Sequence, residues 1–136
     1  MTEDRRYTLA VIKNFVVHEK QNRFIGFIES RRDDLLDELF IDERNLNQET
    51  LIKVPSGKSA SFVIDEMKKM GATDHVYLMS HHSDLDGKFT SLEDAIESVF
   101  GRHFGALLYC VNSGFGYYED GETSRYILRA ISKEQM

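Results

Sequence analysis

The sequence predicts an α+β domain in which N-terminal helices and two further helices pack on a mostly antiparallel sheet ending in a three-stranded C-terminal meander. Three observations predict it. Apolar residues recur at helical spacing from Arg5 to Phe40, short β-rich runs separated by turn residues dominate after Asp42, and the last third holds three such runs joined by hairpin signals. At 136 residues the chain has the length of one domain, spanning 1–136, with enough mass to bury a core unaided.

In the first stretch, Leu9, Ile12 and Val16 and then Phe24, Ile28, Leu35 and Leu39 fall on helical steps, so two or three helices share it. Ser30 with Asp33 has the form of a helix start, which places a break near Ser30. The charged run from Glu29 to Glu38 reads as a solvated face. Asp42 to Thr50 lacks apolar periodicity and reads as a polar connection leading to a short strand at Leu51 to Val54, ended by Pro55-Ser56-Gly57.

Ser59 is placed to cap a helix from Ala60 to Met70, and Gly71 has the usual identity of the residue just past a helix end. His75 to Met79 is a strand, Ser80 to Lys88 a polar loop, and about Ser91 to Phe100 a second helix, where Thr90-Ser91-Leu92-Glu93 has the form of a capping box. Ala106 to Val111, Phe115 to Tyr118 and Arg125 to Ile131 are strands joined through Asn112-Ser113-Gly114 and Asp120-Gly121. The expected meander has one face against the helices and one polar face, with Arg125 and Arg129 sharing the latter at period two.

Composition narrows the function classes. The net charge of −6 works against nucleic-acid backbones and anionic membranes, and no run approaches the ~20 apolar residues of a membrane span. The single Cys110 excludes an internal disulfide, and its apolar setting reads as core. A soluble, acidic, cytoplasmic protein is expected.

Four segments carry residue types capable of chemistry. Ser80 to Lys88 brings two adjacent imidazoles, two carboxylates and a turn glycine together, a ligand set for a divalent cation formed by His81, His82, Asp84 and Asp86. It resembles an EF-hand calcium loop, with Asp84, Asp86, Gly87 and Glu93 at the third, fifth, sixth and twelfth positions and His82 at the first. That resemblance implies a calcium clip at Asp84, Asp86 and Glu93. His81 to Gly87 also resembles the first motif of the DHH phosphoesterases, which follows a strand and helps hold catalytic metals. This implies a hydrolase with those four residues as ligands and His103 as general base.

Pro55-Ser56-Gly57-Lys58-Ser59 sits as a phosphate loop would, but Ile52 stands where the early glycine of a P-loop belongs, so the segment reads as a turn and helix cap. Gly114-Phe115-Gly116-Tyr117-Tyr118 resembles the centre of the RNP1 strand of RRM domains, although it begins at Ser113 and runs into Glu119-Asp120. The acidic balance favours strand packing or a small-ligand platform over RNA. In Gly101-Arg102-His103-Phe104-Gly105 the first glycine ends a helix, and Arg102 and His103 complement its negative end.

The expected function is that of a small non-catalytic binding or interaction domain. Phe115, Tyr117, Tyr118, Tyr126, Arg125 and Arg129 of the meander would contact a protein or small ligand, with no cofactor required. The competing expectation is a metal-dependent phosphoesterase or hydrolase built on the His81 to Asp86 loop.

Overall fold

The computed structural model describes residues 2–122 and 124–131. Three helices open the chain: α1 (Glu3–Phe15), α2 (His18–Phe27) and α3 (Arg32–Ile41). Thr2 caps α1 by accepting from the Arg5 N–H. The break expected near Ser30 is present, but Arg31 holds the cap position of α3 and makes no side-chain capping bond. The polar connection that follows winds into two single 3-10 turns, Glu43–Asn45 and Gln48–Thr50. It is also anchored, because Leu46 is fully buried and bridges to Val16.

The remaining elements are β1 (Leu51–Lys53), α4 (Ala60–Met70), β2 (Val76–Ser80), β3 (Phe89–Thr90), α5 (Leu92–Val99), β4 (Gly105–Cys110), β5 (Phe115–Asp120) and β6 (Arg125–Arg129). Ser59 caps α4 through the Phe62 N–H, and Gly71 closes it in the left-handed conformation at φ 103°. The cap of α5 lies one residue later than the sequence suggests: Ser91 accepts from Asp94 N–H, and Asp74 on a different segment accepts from Leu92 N–H at 2.9 Å. The two-residue strand β3 is absent from the sequence reading because it is too short to alternate.

The strands form one antiparallel sheet in the order β1-β6-β5-β4-β2-β3, with the meander β4-β5-β6 at its centre. Alternate residues go to opposite faces, as the pleat requires. Tyr77, Met79, Leu107, Tyr109, Tyr118 and Leu128 join α1, α2 and α3 in one core. Val76, Leu78, Ala106, Leu108, Cys110, Tyr117 and Ile127 join α4 and α5 in another. The expected polar face is therefore a correction. The helices that connect β1 to β2 and β3 to β4 lie on the side opposite the N-terminal helices, so the sheet is the middle of three layers and its central strands are apolar on both faces. Among the described residues no helix is long and apolar enough to cross a membrane.

Candidate functional site

The layered packing decides what the meander aromatics can do. Tyr118 and Tyr126 face each other across β5 and β6 on the side of the N-terminal helices, whereas Phe115, Tyr117, Arg125 and Arg129 lie on the side of α4 and α5. Tyr117 and Tyr118 are wholly buried, and Phe115 and Tyr126 are half-buried against the two cores. The Tyr118 hydroxyl donates to the Leu39 carbonyl at 3.0 Å and the Tyr117 hydroxyl to Glu119 at 2.6 Å. Arg125 turns inward, its guanidinium 4.9 Å from the Phe100 ring, and Arg129 is exposed. These six residues do not form one exposed aromatic platform, because the three-layer packing uses both faces to bury them.

The loop between β2 and β3 is tightly built. Gly87 N–H donates to the Leu78 carbonyl, the Leu85 and Asp86 N–H groups donate to the His82 carbonyl, and His82 N–H donates to Ser80 Oγ. Asp86 turns toward the N-terminal helices. It accepts two hydrogen bonds from Arg32, at 2.6 and 3.0 Å, and a third from Ser80 N–H at 3.0 Å. Arg32 also donates to Thr8 Oγ1 and the Tyr77 hydroxyl, and Tyr77 donates to Asp4. Burial pushes the Tyr77 phenol up to about 12, so it remains a neutral donor.

The predicted ligands diverge. His81 pairs with Asp37 at 3.1 Å and packs edge-on to Phe40, His82 packs against the Phe104 ring, and Asp84 is exposed. Asp86 is saturated by an arginine, the wrong neighbour for a cation ligand. Glu93 is exposed in the first turn of α5, and His103 is exposed at φ 65°. Among the described residues no three His, Cys, Asp or Glu side chains gather as a metal ion would require. The acidic loop is thus held by a guanidinium clasp whose other members, Asp4, Thr8 and Arg32, carry no local signal in the sequence. Their spacing says only that they lie on helices.

A concave surface lies elsewhere. Between α1 and α2 runs a trough of about 390 Å³, open to solvent on one side and lined by Arg5, Leu9, Ile25, Ile28 and Glu29. Leu9, Ile25 and Ile28 are half-buried and supply its apolar lining, and an Arg5 to Glu29 ion pair at 3.2 Å stands at its rim, with Glu29 largely in water and Arg5 partly covered. In sequence, Leu9 and Ile28 read as core periodicity. Their surplus over what the core covers becomes visible only once the helices are packed.

No protein-family model matches the chain, and comparison with curated proteins and with solved structures found no match.

Proposed function

We propose that the protein is a non-catalytic binding domain that receives apolar side chains of a protein partner in the trough between α1 and α2. The observation that carries this reading is the trough itself, a concave apolar surface bounded by one separable ion pair. Its volume falls within the roughly 300–1,000 Å³ of ligand sites, but a small ligand in such a site is ordinarily ~70–90 % enclosed. A trough open along one side cannot enclose a small molecule to that degree. A side chain presented by a protein brings its own cover, which favours a macromolecular partner.

The rim suits the same occupant. Exposed ion pairs contribute little, roughly 0–1 kcal/mol, so Arg5 and Glu29 can exchange each other for a partner's acid and base at small cost.

The test titrates isotope-labelled protein with N-acetyl-leucinamide and N-acetyl-phenylalaninamide, which stand in for partner side chains, and follows amide NMR shifts. Saturable shifts centred on residues 5–9 and 25–29, lost in Leu9→Arg, are the expected result. Shifts scattered over the surface, or none in the trough, would overturn the reading.

A further inference from the structure

Charge is unevenly distributed along the chain, and the pair of helices that forms the trough carries an excess of base. Residues 1–31, which precede α3, hold six Lys or Arg and four Asp or Glu, a local charge of +2 in a chain of −6. Three of those bases are engaged away from the trough: Lys20 donates to Asn45, Arg23 to Glu38 and Arg31 to Asp34. Arg5 lines the trough and pairs with Glu29. Arg6 and Lys13 are exposed, and among the described residues neither has an acidic partner. Helical spacing puts both beside the apolar lining, because they stand three residues before and four residues after Leu9. Gln21, four residues before Ile25, donates to the Lys13 and Val16 carbonyls at 3.5 and 3.0 Å, so the junction of the two helices continues as far as Lys13. The other acids of these helices stand off. Glu3 and Glu19 are each six residues from a lining residue, which turns them about a third of the way around the helix. Asp4 faces the core side, where it accepts from the Tyr77 hydroxyl.

We infer that the protein segment received by the trough is acidic: it sets carboxylates against Arg6 and Lys13 while its apolar side chains enter between Leu9, Ile25 and Ile28. This rests on the reading of the trough as a docking site. Two unmatched cations beside an apolar lining select a partner that brings both chemistries, since opposite charges at a rim speed encounter and like charges reject the wrong segment. The stems of Arg6 and Lys13 also lie along apolar surface while their heads stay in water, so they extend the lining as well as mark its edge. A short acidic segment senses mainly the local base, because screening confines charge effects to about 8 Å at physiological ionic strength. An anionic bilayer is an extended surface and also meets the acidic remainder of the chain. A second copy offers Glu93, Asp94 and Glu97 on α5, but that helix buries its apolar residues in its own core and has none to insert.

The experiment titrates the full chain at neutral pH with two capped peptides of leucine and alanine, one carrying glutamate and the other lysine at the same polar positions. N-acetyl-leucinamide serves beside them as a probe of the trough alone. The glutamate peptide should shift the amides of residues 5–13 and 21–29 with an affinity about tenfold above that of the lysine peptide. The preference should shrink as ionic strength rises from about 0.01 to about 1 M. Arg6→Glu with Lys13→Glu should reverse the preference and leave the leucinamide shifts in place, and Lys13→Glu alone should reduce it without touching the stacking of Arg6 on Tyr7. Equal binding of the two peptides, or a preference unmoved by the double variant, would overturn the acidic partner while leucinamide shifts in the trough keep the docking reading. Absence of those leucinamide shifts would overturn the docking reading and this inference with it. Trough shifts caused by phosphatidylserine vesicles, with no peptide preference, would assign the surface to a bilayer instead.

Discussion

Cys110 lies in β4 on the face covered by α4 and α5, where burial pushes its thiol up to about 12. At pH near 8 almost none of it is thiolate, so an aromatic disulfide reagent should label the protein only at the rate of unfolding and react at once in denaturant. Rapid labelling of the native state would mean that the second core opens far more readily than its packing implies. Its apolar neighbours made that burial legible in sequence. Gly116 is the opposite case. The run of aromatic and glycine residues around it resembles a base-stacking strand, yet a Cβ at Gly116 would strike the Leu108 carbonyl oxygen on the adjacent strand. Gly116→Ala should cost about 1–3 kcal/mol through overpacking, read as a lower denaturant midpoint at unchanged slope. This requirement comes from the close approach of the neighbouring strand, which the sequence of β5 does not reveal.

At the scale of elements, local chemistry sets some helix ends and distant chemistry sets others. Ser59 and Gly71 bound α4 where the sequence places them, because a cap and a left-handed terminus involve only neighbouring backbone. The start of α5 is shared with Asp74, a residue in the connection before β2, and that contribution exists only after folding. The loop between β2 and β3 shows the same division. Its Asp-Gly turn was legible, but Arg32 on α3 determines what Asp86 does. Asp86→Ala should destabilise by about 2–3 kcal/mol, somewhat below the ~3–5 of a fully buried pair, because the two side chains retain 27 % and 19 % exposure. Thermal unfolding checks this. A loss within a few tenths of a kcal/mol would show that the clasp contributes little more than an exposed ion pair.

Across the whole molecule, the sheet separates two cores, and its ends are managed by brevity: β1 has three residues and β3 has two, leaving little unpaired edge for another chain to extend. The central strands β2, β4 and β5 are covered on both faces and hydrogen-bonded on both sides. Their amides should show the slowest exchange, at or near the global unfolding rate, with α1 and α2 exchanging faster because the trough leaves their junction partly wet. Equal protection in the trough helices and the central strands would contradict this ranking, and with it the picture of an uncovered surface there.

Taken alone, the sequence determined the fold class, the helix-rich beginning, both ends of α4, the strands of the meander and the core character of Cys110. Each of these depends on periodicity or turn chemistry within a few residues. Tertiary structure decided that the sheet is covered on both sides, that Tyr117 and Tyr118 serve opposite cores, and that Asp86 belongs to Arg32. It also decided that an apolar trough is left between α1 and α2. The physical reason is common to all of them. Burial and ion pairing are set by which segments meet in space, and no local pattern records whether a helix following a strand crosses above the sheet or below it.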